Sequence, residues 1–437
     1  MHPLEIEALR EIVSSAGADP KKAEASVIDL RLTYGENKRI IKDWLKAEGK
    51  SMDLRTEIVA GKELETKMSA ELQAAIEEKE KEKYKAVSGK KKEIDSKVEA
   101  MGPEIIKEIS AYNPYMENVT YATLFACMNG RIGKQKTNVI NMGKHGIGKS
   151  RGTSDLLTKL EIADAVIIRG FMTPRKVYDT LKANPSSILC FDEAENIMND
   201  EMCMFILRPA MFGGEVSWLS SKGDALDTFN FTGTIIANMN HFGVTEAAAA
   251  PLFDRTLFHQ TNLDNVQLVE KMQTKKTYHM NEDIWQVIKD KITLIRGEGL
   301  SELTEAEEDY VMAYIVKVAS SASVFNKSLS VRAHGRATLV ARCLKSLFLR
   351  LDAPIKELFE QLSKTYISND DADDICVKIL RQSPNVTRRE LAEIISENRQ
   401  ISERQASRQI KAAIERGVLT AVNRTKVVVT PTAKVSK

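Results

Sequence analysis

The chain has 437 residues, 43% hydrophobic and 28% charged, the balance of an ordinary soluble globular protein with room for roughly two to four domains. A net charge of +2 excludes a global basic field, so any nucleic-acid binding has to come from local clusters. Five cysteines scattered singly, without a C-x-x-C pair, argue against a disulfide framework or a cysteine zinc site, and no apolar run approaches the ~18 residues of a membrane span.

The N-terminus (MHPLEIEALREIV) lacks the basic-then-apolar layout of a signal peptide. The expectation is a soluble protein of the cytoplasm, or of a host cytoplasm, with no membrane partner. Residues 1–50 read as a small helical module, with one apolar stripe at Leu4, Leu9, Ile12 and Val13 and another at Ile40, Ile41, Trp44 and Leu45. Gly17–Pro20 and Tyr34–Asn37 punctuate it. Residues 51–117 form a charged helical or linker segment. Its run Glu77–Lys85 (EEKEKEKYK) suits a solvated helix held by i,i+4 pairs, and Leu64, Met68, Leu72, Ala75 and Ile76 give a seam compatible with a short coiled coil. Gly89–Lys92 reads as an exposed basic turn, with phosphate contact as the alternative. Gly102–Pro103 and Asn113–Pro114 are expected to break the helical pattern.

From 118 to 265 strands and helices alternate, the pattern of a parallel sheet with covering helices. Gly143, Lys144, His145, Gly146, Ile147, Gly148, Lys149 and Ser150 fit the phosphate-cradling pattern G-x-x-x-x-G-K-[ST], after a short strand and before a helix. In such a P-loop, backbone N–H groups and the helix N-terminus face phosphate oxygens. Lys149 is then expected at the β- and γ-phosphates and Ser150 on Mg²⁺. Further on, the apolar strand Ile188–Phe191 runs directly into Asp192-Glu193. An acidic pair at a strand's carboxyl end suits metal and water chemistry, with Asp192 in the Mg²⁺ shell and Glu193 polarising the attacking water. The cofactors expected are ATP and Mg²⁺.

The next strand ends in Ala237-Asn238-Met239-Asn240, and here the sequence resembles the AAA+ ATPase family. The resemblance covers residues 118–367. It implies an α/β P-loop AAA+ core over 118–265 and a helical lid over 266–367. Asn240 matches the sensor position that orients the lytic water, with Asn238 as fallback. Pro251–Arg255 looks like the segment that supplies an arginine finger to a neighbouring subunit, which makes Arg255 a catalytic residue in trans. Ser328–Arg336 resembles the lid segment whose arginine reaches the γ-phosphate: Arg332, or Arg336 one turn later. A hairpin-like insertion spans Gly213–Gly233, where AAA+ helicases carry a hairpin pointing into the ring pore. Lys222 at its tip would grip a phosphate backbone, and Trp218 would pack beneath it or stack on a base.

Residues 368–437 read as a winged-helix domain. Thr387–Glu390 fits a capping box, and Ser402–Gln405 opens a third helix at the recognition position. That helix is expected to present Arg404, Gln405, Arg408 and Lys411 to DNA, with protein contact as the alternative use. The domain order resembles replicative helicases of the minichromosome-maintenance type and several replication proteins of viruses and plasmids. It implies an oligomeric ATPase, a hexameric ring being expected, that couples Mg-ATP hydrolysis to DNA remodelling alongside replication partner proteins. Two alternatives stay open: a helicase loader or initiator that binds DNA without unwinding it, and a MoxR-like protein-remodelling ATPase.

Overall fold

The computed structural model describes residues 2–29, 32–50, 54–128, 137–218, 227–240, 256–261, 263, 265–324, 332–367, 376, 379–380, 386–399, 402–415, 419–423 and 425–429. The chain falls into two compact units, 1–82 with 182–184, and 83–181 with 185–437.

In the first unit, helices Pro3–Ser15, Pro20–Ser26 and Tyr34–Ala47 close on Leu9, Val13, Ala23, Ile41 and Leu45. The two apolar stripes are therefore what these helices bury. Tyr34–Asn37, expected as a break, is instead the first turn of a helix. Thr33 accepts from the Glu36 N–H while Glu36 reaches back to the Thr33 N–H, a capping box that satisfies two orphan donors.

The charged run lies in a helix spanning Leu54–Ser88, followed by helix Lys91–Tyr112. Met101 leaves helical geometry (φ −110°, ψ 15°) just before Gly102–Pro103, so two helical segments meet there across a kink, and the expected break in the helical pattern is present. Ile94, Val98, Ile105 and Ile109 are buried on both sides of the kink, which falls at a residue pair that favours one.

The second unit is mixed α/β, built on a five-stranded parallel sheet. Its strands are β1 (Asn138–Gly143), β2 (Ala165–Arg169), β3 (Ile188–Asp192), β6 (Thr234–Met239) and β7 (Thr256–Thr261), in the order β2-β3-β6-β1-β7. Between β3 and β6 in sequence, β4 (Glu215–Trp218) and β5 (Asp227–Asn230) form a separate antiparallel pair. The side-chain period of two sorts the sheet's residues onto two apolar clusters. Val139, Cys190, Ile236 and Leu257 join the larger one, together with Tyr121, Phe125, Trp285, Ile288 and Phe359 from surrounding helices. Ile140, Leu189, Phe191, Ile235 and Phe258 join the other, with Val177, Tyr178, Leu207 and Met211.

After β7 the described chain is helical through Ile367: Asn265–Thr277, Glu282–Glu298, Glu305–Val324, Arg332–Phe348 and Ala353–Ile367. Arg296 binds this block to the α/β part. It donates to Asp164 at 2.7 Å, both side chains being under a tenth exposed, and to the Cys127 carbonyl at 2.9 Å. Removing either partner leaves a charge buried and unpaired.

The C-terminal module packs helices Arg388–Arg399 and Glu403–Glu415 on an antiparallel pair, β8 (Leu419–Ala421) and β9 (Val427–Val429), which a bridge between Thr387 and Lys426 extends. Leu391, Ile395, Ala406, Ile410, Leu419 and Val427 form its core. Among the described residues no helix is long and apolar enough to cross a membrane.

Candidate functional site

Glycine geometry shapes the loop after β1. A Cβ on Gly143 would lie 2.5 Å from Ile147 Cδ1 and 2.6 Å from the Thr261 carbonyl oxygen on β7. Only a residue without a side chain lets the loop and β7 come this close. Gly146 and Gly148 have φ of +75° and +99°, the left-handed region that L side chains rarely adopt, and helix Lys149–Gly152 begins directly after them. The back of the loop is held from two sides. Asn113 Nδ2 donates to the Gly148 carbonyl at 3.0 Å, while Asn113 Oδ1 accepts from Lys271 Nζ at 2.7 Å.

Lys149 folds back over the loop. Its Nζ donates to the carbonyls of Gly143 (2.6 Å) and Lys144 (2.8 Å) and to Asn240 Oδ1 (2.9 Å). Burial pushes its ammonium below the ordinary lysine range, against the opposing pull of Glu195 and Asp192. Asn240, just past the end of β6, also meets His145 Nε2 through its Nδ2 at 2.8 Å, and its backbone N–H donates to Glu195 Oε1 at 2.5 Å.

Asp192, at the end of β3, is 9% exposed. Its Oδ1 accepts from Ser150 Oγ (2.9 Å) and Asn238 Nδ2 (3.0 Å), and its Oδ2 from Ser154 Oγ (3.4 Å), with Arg169 Nε at 3.6 Å. The Ser150 hydroxyl and the Asp192 carboxylate thus form an adjacent pair of hard oxygen ligands. Two protein oxygens suit Mg²⁺, which keeps several waters and completes its octahedron with substrate phosphates. The next residue, Glu193, is exposed and has φ +65°, a left-handed conformation uncommon for a residue with a Cβ.

Among the expected site residues, the structure brings together Gly143 to Ser150, Asp192 and Asn240, drawn from the ends of β1, β3 and β6. Glu193 follows Asp192 directly. Arg332 is exposed at the start of helix Arg332–Phe348. Arg255 and Lys222 lie outside the described residues. Trp218 is half-buried at the end of β4, opposite Asp227 on β5, where its ring sits 5.8 Å from Tyr178 and 5.5 Å from the Arg175 guanidinium. Arg404, Arg408 and Lys411 are exposed on helix Glu403–Glu415, opposite the buried Ala406 and Ile410. Gln405, expected with them, turns back to accept from the Ser402 N–H at 3.0 Å, so it caps the helix. Asn113, Glu195 and Lys271 carry no motif and enter only through these contacts; Glu195 alone had a local signal, two residues past the Asp-Glu pair.

The chain matches no protein-family model and no curated protein sequence. Among the described residues no cluster of three or more His, Cys, Asp or Glu side chains could hold a metal ion by itself.

Proposed function

We propose that this chain is an ATP hydrolase of the AAA+ kind that couples Mg-ATP hydrolysis to DNA remodelling as part of an oligomer. The observation that carries the reading is the meeting of Lys149, Ser150, Asp192 and Asn240 below a loop with left-handed glycines. The strand order supports it: β6 lies between β1 and β3, so its terminal Asn240 stands between the phosphate loop and the acidic strand.

In this reading the loop N–H groups and Lys149 bind the β- and γ-phosphates, and Lys149 exchanges its carbonyl partners for phosphate oxygens. Ser150 and Asp192 hold Mg²⁺, which when bound neutralises charge on the β- and γ-phosphoryl oxygens. Glu193 accepts a proton from the attacking water and Asn240 orients that water. Arg255 of a neighbouring subunit and Arg332 add positive charge at the γ-phosphoryl group. The C-terminal module acts as a winged helix on DNA through Arg404, Arg408 and Lys411, and Lys222 adds a contact at the hairpin tip.

The test is the ATP hydrolysis rate with and without Mg²⁺, and with single- or double-stranded DNA. Mg²⁺-dependent turnover that DNA accelerates is the expected result. No Mg²⁺-dependent turnover would overturn the ATPase assignment. Turnover indifferent to either form of DNA would overturn the DNA assignment and point to a protein client.

A further inference from the structure

Register places two consecutive rungs across one face of the sheet. The inner rung is apolar: Ile167 on β2, Cys190 on β3, Ile236 on β6, Val139 on β1 and Leu257 on β7. Two residues nearer the carboxyl ends, every strand turns polar: Arg169, Asp192, Asn238, Asn141 and His259. Asn238, Asn141 and His259 are at most 6% exposed. Amides buried in a sheet interior are unfavourable unless hydrogen-bonded, and the rung beneath shows that apolar side chains suit this face.

The bonds along the rung run toward Asp192. Asn141 Nδ2 donates to Asn238 Oδ1 at 3.1 Å, which fixes the amide orientation of Asn238. The Asn238 Nδ2 then donates to Thr153 Oγ1 at 2.6 Å and to Asp192 Oδ1 at 3.0 Å. At the other end His259 meets Thr261 Oγ1 through Nε2, and the bonding is incomplete. Asn141 Oδ1 and His259 Nδ1, on register partners, have no hydrogen-bond partner among the described residues. Satisfaction of the rung is therefore concentrated at the carboxylate.

We propose that Asn238, oriented by Asn141, is a positioning residue that holds the Asp192 carboxylate in a single rotamer for a divalent cation. This inference rests on the reading of Asp192 and Ser150 as the cation's protein ligands. Without the Asn238 donor, Asp192 Oδ1 keeps only Ser150, the group with which it has to share the cation. The carboxylate is then free to turn toward Arg169, the only cation paired with it among the described residues. Groups that orient a metal ligand typically contribute 10–100-fold to metal affinity, so loss of Asn238 should raise the cation requirement by about that factor. Nucleotide binding through the Lys149 loop in the absence of cation should stay as it is.

The experiment titrates Mg²⁺, and separately Mn²⁺, into each protein with a fluorescent ATP analogue present, reading bound nucleotide and not turnover. Free Mn²⁺ is followed in parallel by electron paramagnetic resonance. Asn238→Ala should shift the cation midpoint upward about tenfold or more with unchanged cation-free affinity. Asn238→Thr, which restores one hydroxyl donor, should recover part of the shift, and Asn141→Val should show a smaller one. A cation midpoint for Asn238→Ala equal to the parent's would overturn the inference and leave the ATPase reading standing. If Asn238→Ala does not fold, Asn238→Thr and Asn141→Val decide: parental midpoints in both overturn it equally. A parent protein that binds no nucleotide, with or without cation, would remove the functional reading and this inference together.

Discussion

Glu193 offers a perturbation in which stability and turnover should move in opposite directions. Its φ of +65° puts a residue with a Cβ in the left-handed region, which is unfavourable by roughly 1–2 kcal/mol. Glycine adopts that conformation freely but loses more backbone entropy on folding, about 0.5–1 kcal/mol. The two terms leave Glu193→Gly between neutral and about 1.5 kcal/mol more stable than the parent. Its turnover should fall by roughly 10²–10⁴, the usual contribution of a general base. Glu193→Gln is the matched control: it keeps the left-handed residue, so stability stays at the parent value while turnover is lost. Glu195→Gln is the second control, since an amide oxygen can still accept from the Asn240 N–H and most activity should survive. Denaturant titration supplies the stability difference, single-turnover hydrolysis the rate, and equilibrium nucleotide binding shows that the site is intact. Glu193→Gly that is destabilised by more than about 1 kcal/mol would refute the strain argument. Near-parental hydrolysis in either Glu193 variant would refute the base assignment, and loss of turnover in Glu195→Gln alone would transfer the role to Glu195.

Burial pushes the His259 imidazole down to about 4, so the folded state keeps it neutral while the unfolded chain takes up a proton below about 6.5. The unfolded state then binds more protons between these values: stability is full above pH 6.5 and should be lower by about 2 kcal/mol at pH 5, a loss that His259→Asn should remove in denaturation curves across that range. Mixing inactive Arg255→Ala with inactive Glu193→Gln should restore part of the hydrolysis, since some subunit interfaces then combine an intact finger with an intact base. No recovery under proven subunit exchange counts against a shared site. Replacing Arg404, Arg408 and Lys411 together by Ala should weaken DNA binding most at low salt and lower the slope of log affinity against log salt by roughly one unit per lost phosphate contact. Superimposable salt titrations for parent and triple variant would assign that face to a protein partner.

Features written over a few adjacent residues were legible in the sequence. The strand–glycine loop–helix around Gly143–Ser150, the Asp-Glu end of β3, the polar end of β6 and the Thr387–Glu390 capping box each occupy a short stretch of chain, and each is present. What stayed hidden depends on elements distant in sequence. Asn113 and Lys271 are separated by 158 positions and meet only because both pack behind Gly148. Nothing in either segment alone points to the Gly143–Ser150 loop.

The polar rung marks the boundary between these two kinds of information most clearly. Each strand by itself shows a polar residue near its end, and a polar residue at a strand end is ordinarily a turn former. Once register aligns Asn141 with both Asn238 and His259, and Arg169 with Asp192, the same residues become one row, buried from His259 to Asp192 and exposed only at Arg169. Register in a parallel sheet is set by burial on both faces, because a slip of one residue would turn Val139, Ile236 and Leu257 away from one apolar cluster and toward the other. The apolar rung thus fixes the position of the polar one. Shifting β6 against β3 by a single residue would separate Asn238 from Asp192 as surely as mutating it. The orientation of Asp192 is in this sense held by the core two residues below it, as well as by the amide beside it.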